Sequence, residues 1–370
     1  GRVRNPVAAA RWCLAFSAAS LGCTVAVWAG AELGWAPGGA SPSDLLPRAF
    51  GTRVLAVDGL SAPLLPLVAL LHVLTALATA RTKMTRFSFA WLLVGQAVRL
   101  ATFACVGPWA LGVLLILNTL PPYFELRRRG RPTRIYVLHM GLFVGLLVAG
   151  LATGGTGPGA GGVASALLLL AVLVRSGTFP AHAWVTDLFE NGSFGTALLF
   201  VTPITGMYVA VRLVLPAAPD WVLTGIGAAS LFTAVYAAGM AVAQTDARRF
   251  FAFLFLSHAS LVLVGLELHT VISLTGALAL WVAVALSLGG LGLTLRAVEA
   301  RFGRLSLAEF RGLYRHSPSL AVCFLLTGLA SVGFPGTLGF VATELLVDGA
   351  IGANPAVGLA VVVAAAVNGV

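Results

Sequence analysis

Residues 162–187 read GVASALLLLAVLVRSGTFPAHAWVTD, an apolar run that ends at Arg175 and continues into Gly177 and Pro180. The run does not alternate between apolar and polar residues, as a strand of a membrane β-barrel would. Backbone that faces lipid must satisfy its own hydrogen bonds, and a helix does so within one segment. Gly and Pro together interrupt a helix. The stretch therefore predicts a membrane helix that breaks just after a charged side chain.

Composition extends this prediction to the whole chain. Of its 370 residues, 59% are hydrophobic and only 10% are charged, and the mean hydropathy is +0.96. A soluble domain carries roughly 25% charged residues, so water is an unsuitable solvent for this surface. We predict an all-α polytopic integral membrane protein with interrupted helices and about 13 spans. The spans are predicted near residues 8–33, 58–80, 87–107, 109–126, 135–153, 161–175, 194–215, 221–243, 250–267, 270–295, 318–333, 338–352 and 355–370.

The net charge of +10 comes from arginines that gather in alternate predicted loops. This pattern follows the positive-inside rule, so we favour a topology signal over a nucleic-acid-binding surface. It predicts that the N-terminus of this sequence is cytoplasmic. The predicted inner loops contain Arg2, Arg4, Arg81, Lys83, Arg86, Arg127, Arg128, Arg129, Arg131, Arg134, Arg248, Arg249, Arg301, Arg304, Arg311 and Arg315. The predicted outer loops contain Arg48 and Arg53 and almost no other base.

No motif indicates a cofactor or a metal. The four cysteines lie in apolar segments without a CxxC pair; they are Cys13, Cys23, Cys105 and Cys323. Gly157–Gly162 matches GxGxxG by spacing, but it follows a membrane helix and predicts a flexible outer loop. We expect no cofactor bound by this chain, no metal and no catalysis by this chain alone. Because the sequence begins at Gly1 and ends inside an apolar run, we expect a fragment of a longer protein.

Ionisable side chains in apolar segments are the candidates for chemistry, since they are costly in lipid. Arg175, followed by His182 and Asp187, fits either a charged site at a broken helix or an arginine that reaches the inner interface. His258 fits a proton relay, because histidine titrates near neutral pH, or a hydrogen-bonded packing residue. Glu344 fits a buried functional carboxylate or an interfacial residue near a helix end.

Other charged residues have simpler interpretations. Asp246, together with Arg248 and Arg249, predicts a capped helix start followed by inner-loop charges. Arg99 lies within a predicted span, where it either pairs with an acid or reaches the interface. His72 is predicted to be a packing residue of an apolar helix.

Four motifs resemble the antiporter-like membrane subunits of respiratory complex I, a family that includes Mrp-type cation/proton antiporters and subunits of membrane-bound hydrogenases. Asp58-Gly59-Leu60-Ser61 resembles the family's DGLS signature. Thr245–Phe253 with Ser257-His258 resembles its TDLKR…SHM segment. Arg175 with Pro180, His182, Trp184 and Asp187 resembles its K-x-P-x-x-P-x-H-x-W segment, and Gly333–Phe340 with Glu344 resembles its G-x-P-P/G-T-x-G-F segment.

The resemblance implies two five-helix repeats with inverted orientation, within an antiporter-like domain over residues 58–370. Residues 1–57 would form an N-terminal membrane helix and an outer loop. In the family, a glutamate and two lysines line a proton half-channel. Here Asn118 is the nearest polar residue to the glutamate position, Arg175 replaces the first lysine, and the second lysine position falls near Thr205. Arginine keeps its proton at essentially all pH values, so it can supply a field but cannot easily relay a proton.

Three functions follow from the resemblance. The first is a proton-translocating subunit of a complex I-like NADH:quinone oxidoreductase or a related ion-pumping assembly. In it, His258, Glu344 and water carry protons, Arg175 is a fixed charge and His182 belongs to the path. Asp187, Asp246, Arg248, Asn118 and Thr205 support that site. The second is a structural or coupling subunit that no longer conducts, and the third is a transporter of a cation or inorganic carbon. The implied partners are other membrane subunits, in the bacterial cytoplasmic membrane, without nucleic acid.

Overall fold

The computed structural model describes residues 5–33, 54–79, 84, 87–154, 161–268, 270–310 and 312–370. Within these ranges the chain is helical and forms no extended β-strand. The helices are α1 (Pro6–Glu32), α2 (Ser61–Leu77), α3 (Phe89–Ala104), α4 (Pro108–Arg128), α5 (Arg134–Ala152), α6 (Gly162–Ser176), α7 (Ala183–Asn191), α8 (Phe194–Val201), α9 (Thr205–Val209, continuing as a π-helical turn over Ala210–Val214), α10 (Asp220–Val242), α11 (Ala247–Glu267), α12 (Val271–Phe302), α13 (Leu313–His316), α14 (Pro318–Ser331), α15 (Leu338–Ala353) and α16 (Pro355–Asn368).

Among the described residues, seven helical segments are long and apolar enough to cross a membrane. They are Pro6–Glu32, Pro108–Arg128, Arg134–Ala152, Phe194–Val214, Asp220–Val242, Ala247–Glu267 and Val271–Phe302. Five further apolar helices are shorter: α2, α3, α6, α14 and α16. Several predicted features lie outside the described residues: the basic residues Arg2, Arg4, Arg48, Arg53, Arg81, Lys83, Arg86 and Arg311, and most of the Gly157–Gly162 loop.

Helix starts follow local sequence signals. Side-chain oxygens at seven N-caps accept hydrogen bonds from first-turn amides and satisfy donors that the helix leaves open. These residues are Asn5, Ser88, Ser193, Asp246, Thr270, Thr337 and Asn354. The cap that we predicted at Asp246 is confirmed, since its Oδ1 accepts from the amides of Arg248 at 3.0 Å and Arg249 at 3.2 Å.

The chain divides into two compact units, Gly1–Pro121 and Pro122–Val370. In the first unit, α2 packs against α1 and α3. Two buried polar pairs tie these helices together: Ser17 donates to Gln96 Oε1 at 2.6 Å, and the Arg99 guanidinium lies 3.0 Å from His72 Nε2. One contact of Arg99 is therefore a histidine on the neighbouring helix. The predicted boundary at residues 57 and 58 stays a prediction.

In the second unit, α11 is the central helix. It packs against α10, α12 and α7, and also contacts α6, α15 and α16. Nearly every residue from Phe251 to Leu266 is buried. A helix with apolar residues on all sides is expected at such a central position, and the candidate residue His258 lies in its middle.

Two details differ from the predicted spans. The span predicted over residues 194–215 coincides with the segment Phe194–Val214, but it is interrupted inside, since α8 ends at Val201 and α9 starts at Thr205. Pro203 lacks an amide hydrogen, and Ile204 has a positive φ of 47°, which interrupts the helical ladder. The short helix α7 follows the break after Arg175, where our prediction had no helix.

Candidate functional site

The break after Arg175 forms as the sequence predicts. Gly177 ends α6 with a φ of 71°, a left-handed conformation that glycine adopts without strain. Arg175 is buried, with 3% of its surface exposed. One of its terminal nitrogens donates to the Phe200 carbonyl at 3.3 Å, and its guanidinium carbon lies 4.1 Å from the centre of the Phe200 ring and 5.6 Å from that of Trp184. Among the described residues, no carboxylate forms an ion pair with it.

Unpaired hydroxyl groups accompany this guanidinium. Ser176 Oγ, Thr202 Oγ1 and Thr205 Oγ1 are buried without a hydrogen-bond partner among the described residues. Gly206 lies directly against the Ser176 hydroxyl, so the break at 202–204 and the break after Arg175 meet at this point. Thr205, the residue near the family's second lysine position, therefore lies at the same junction as Arg175. Buried polar groups normally have partners, so this cluster is suited to holding water.

His182 and Asp187 lie on the far side of the same break. His182 stacks on Phe179 at 5.7 Å between ring centres and contacts Tyr236 edge-on at 5.4 Å. Its Nδ1 has no partner among the described residues. Asp187 accepts a hydrogen bond from Asn191 at 2.9 Å through one carboxylate oxygen, while the other has none. Both side chains are half-buried, and they are adjacent to Arg175 in the chain without an ion pair to it.

His258 lies against a second helix break. Its Nδ1 is 2.9 Å from the Leu254 carbonyl, and its Nε2 is 2.8 Å from the carbonyl of Ser331. Ser331 is the last residue of α14. Residues 332–337 are not helical, and α15 begins after them. A neutral imidazole has one N–H group, so only the protonated ring donates to both carbonyls at once. The geometry therefore ties the proton content of His258 to the broken end of α14.

Glu344 lies on the exposed side of α15, whereas its neighbour Thr343 lines a small cavity that His258 also borders. The structure therefore does not bring Glu344 and His258 together within this chain. In the first unit, Asn118 is buried and donates to Thr102 Oγ1 at 2.8 Å and to the Leu114 carbonyl at 3.1 Å. Its own side-chain oxygen has no partner among the described residues.

Our sequence analysis did not predict the ion pair at the start of α11, the end of this helix that is predicted to face the cytoplasm. Arg248 binds Glu299 through two hydrogen bonds of 2.6 and 2.7 Å, and also donates to the carbonyls of Phe189 at 2.9 Å and Gly192 at 3.0 Å. It thereby joins α11 and α12 to the end of α7. Asp246 receives a further hydrogen bond from Arg304 at 3.1 Å. The sequence signal for Glu299 was weak, because an acid near the end of a long helix is ordinary.

Glu267 is the second residue that our sequence analysis missed as a candidate. It ends α11 at the predicted outer side, and its Oε1 is buried without a partner among the described residues. Its other oxygen lies against Gly227, where any larger side chain would overlap it. A cavity of about 440 Å³ borders Glu267 together with Asp220, Thr224 and Asn354. The sequence signal that could have identified Glu267 is its position as an acidic residue at the end of an apolar run.

Comparison with known proteins identifies relatives of this chain. The family model described as "NADH:quinone oxidoreductase/Mrp antiporter, TM" matches residues 146–368. NADH-quinone oxidoreductase subunit 13 of Thermus thermophilus is 32% identical over 191 residues, which cover 50% of this chain and 41% of that protein. NAD(P)H-quinone oxidoreductase chain 4 1 of Synechococcus elongatus is 28% identical over 324 residues, covering 79% and 60% of the two chains. The chain spans less than two thirds of the length of these relatives.

Solved structures share the fold. A chain of the Mrp complex from Dietzia sp. superposes with a TM-score of 0.83 at 22% identity, covering 98% of this chain and 74% of that one. A chain of respiratory complex I from Thermus thermophilus superposes with a TM-score of 0.76 at 24% identity, covering 85% and 72%. With its long apolar helices, this is an integral membrane protein. The family model matches more than half of the sequence, and the chain belongs to the NADH:quinone oxidoreductase/Mrp antiporter transmembrane family.

Proposed function

We propose that this chain is a proton-translocating subunit of a complex I-like NADH:quinone oxidoreductase or a related ion-pumping assembly. The observation that carries the proposal is the same at both helix breaks: an ionisable side chain is buried against the broken end. Arg175 lies at the junction of α6 and α8, and His258 contacts the last carbonyl of α14. Ionisable groups are expensive in a membrane interior and mark ion pathways.

The roles divide by chemistry. Arg175 supplies a fixed positive charge, since a guanidinium retains its proton. His258 takes up and releases protons, and Glu344 and His182 extend the path with water. Asp187 and Thr205 supply polar contacts near the first break, Asn118 is the polar residue nearest to the position of the family's glutamate, and the contacts of Asp246 and Arg248 hold the inner end of α11.

The wider assignment follows from the family. The fold would contain about 13 spans, which include two five-helix repeats of inverted orientation. The N-terminus of this sequence would lie in the cytoplasm of a bacterium, as the distribution of arginines predicts. The bilayer would be the cytoplasmic membrane. Neighbouring membrane subunits of the assembly would be the partners, and electron transfer and its cofactors would belong to other subunits. This chain would have no catalytic activity alone.

A non-conducting coupling subunit is the second candidate. It is favoured by the loss of the family's glutamate and lysines. Arg175 replaces the first lysine, the second lysine position falls near Thr205, and Asn118 is the nearest polar residue to the glutamate position. The two candidates differ in one measurable property, because a coupling subunit transmits conformational change without needing a group that releases a proton.

The test is proton uptake by liposomes that contain the assembled complex. We expect His258→Ala and Glu344→Gln each to slow uptake about tenfold or more, equal to about 1.4 kcal/mol in the barrier. Assembly is checked by the amount of complex recovered. If both variants assemble and pump at the wild-type rate, the coupling role replaces the proton-translocating one.

A further inference from the structure

A small cavity lies beside His258, at the interruption between α14 and α15. Its volume is about 20 Å³, and it is bordered by α11, α12, α16 and the two ends of the interruption. A space of this size accommodates one water molecule, which needs two to four polar partners. The polar residues that line it are His258, Ser287, Ser331, Thr343 and Asn368. None of the lining residues is a carboxylate, so the site favours a neutral guest over a metal cation.

The side-chain oxygen of Asn368 is the atom that indicates a bound donor in this cavity. The residue is buried, with 8% of its surface exposed, and its side-chain oxygen has no partner among the described residues. The orientation of the amide follows from its neighbour. Ser257 donates its hydroxyl hydrogen to the Ala234 carbonyl at 2.8 Å, so it can only accept from the Asn368 amide nitrogen, which lies 2.8 Å away. The nitrogen is thereby held at Ser257, and the oxygen is left without a donor.

A water in the cavity would complete two incomplete sets of hydrogen bonds. It can donate to Asn368 Oδ1, which otherwise is a buried acceptor without a donor. When His258 loses the proton on Nε2, that nitrogen and the Ser331 carbonyl both become acceptors that face one another at 2.8 Å. A donor is then needed on this side of the ring, and the cavity is the adjacent space that can hold one.

We propose that this cavity is a binding site for one water molecule, positioned by Asn368, through which His258 exchanges its proton. In the step, the N–H bond at Nε2 breaks as an O–H bond to the water forms. The water passes one of its own protons to the hydroxyl of Thr343, and that hydroxyl releases its own proton to a further water molecule of the path. One positive charge thus leaves His258, and the water stays neutral. Asn368 is a positioning residue, and the inference rests on the proposed function.

The first measurement is proton uptake by the reconstituted complex that carries Thr343→Val, an isosteric change that removes only the hydroxyl. We expect uptake to fall about threefold or more. Thr275→Val is the matched control, because Thr275 is exposed on α12 and its hydroxyl bonds only to its own helix at Val271. It should pump at the wild-type rate. Asn368→Leu, of nearly the same size, should slow uptake about tenfold.

The second measurement locates the water. A high-resolution cryo-electron microscopy map of the assembled complex should show a density peak within hydrogen-bond distance of Asn368 Oδ1, and Asn368→Leu should abolish it. An empty cavity, or normal uptake in Thr343→Val, would overturn the water site. If both the density peak and the uptake rate change when sodium is replaced by potassium, the cavity binds a cation instead of water. If His258→Ala and Glu344→Gln also pump normally, the proposed function fails together with this inference. If His258→Ala stops uptake while the cavity variants are normal, only this inference fails.

Discussion

Arg175 shows how a permanent charge is kept inside an apolar helical unit. Its planar guanidinium lies over the ring of Phe200 and donates to that residue's carbonyl, while Trp184 borders it from the next helix. Ring faces and a carbonyl dipole thus replace part of the water that a cation loses on burial. Two properties of the arginine contribute: its charge, and its flat shape, which a lysine ammonium lacks.

These two properties can be separated by substitution. We expect Arg175→Gln to slow proton uptake about tenfold, because the fixed positive charge is lost. Arg175→Lys keeps the charge, so uptake should stay within about threefold of wild type. The lysine loses the planar contact with Phe200, worth about 1 kcal/mol, so its Tm in detergent should be lower. Liposome uptake and thermal unfolding of the same preparations measure both effects.

Two outcomes would contradict the role of Arg175 as a fixed positive charge. Wild-type uptake in Arg175→Gln would show that the charge plays no part in translocation. A tenfold loss in Arg175→Lys, at normal Tm, would show that guanidinium geometry itself is required and that a field alone is not enough.

At the scale of helices, α12 and α15 approach closely enough for their backbones to touch. A β-carbon built on Gly349 would lie 2.7 Å from the backbone nitrogen of Ser273, and one on Gly276 would lie 2.7 Å from that of Leu346. Small residues permit such approach in membrane proteins, where close packing replaces the hydrophobic drive. This contact sets the position of α15 and therefore brings Thr343 to the cavity beside His258.

Gly349→Ala is expected to destabilise the protein by about 1–3 kcal/mol, because the new methyl group collides with backbone that cannot move aside. Gly352→Ala is the matched control on the same helix, since nothing lies within 4 Å of its built β-carbon. Alanine favours a helix over glycine by roughly 0.5–1 kcal/mol, so the control should unfold at an equal or higher temperature. Thermal unfolding in detergent measures both. Equal Tm values for the two variants would contradict the close approach.

At the scale of the whole molecule, the distribution of arginines defines a topology that can be measured. Arg248 and Arg249 follow the turn after α10, whereas the turn before α10 has no basic residue from Pro216 to Pro219. The positive-inside rule therefore predicts that the first of these turns is cytoplasmic and the second is outside.

Single cysteines on a background without the four native ones test this topology. A membrane-impermeant maleimide should label Ala218→Cys in intact spheroplasts, and should label Gln244→Cys only after permeabilisation. Both positions flank the same helix, so each is the control for the other. The reverse pattern would invert the topology, and labelling of both in intact cells would show that α10 does not cross the membrane.

Local signals account for much of the helical framework. Predicted segments coincide with helices such as α5, α10 and α14 to within a few residues, because the length of an apolar run is a local property of the sequence. The break in residues 194–215 was missed, since a single proline inside an apolar run does not show how the backbone will compensate. The helix α7 was missed for a related reason. Its nine residues are too few to stand out, and it is held by packing on α11 and by Arg248.

The sequence by itself determined that this protein lies in a lipid bilayer and is helical, because both follow from composition and apolar length. It also determined the break after Arg175 and the cap at Asp246, because each depends on a few neighbouring residues. Only the tertiary structure decided what those residues meet. His258 contacts Ser331, 73 positions away, and Asn368 contacts Ser257, 111 positions away. Partners so distant in the chain are selected by helix packing, which depends on the fit of whole surfaces. The candidate water site at His258 is therefore a property of the fold, although its polar side chains are all present in the sequence.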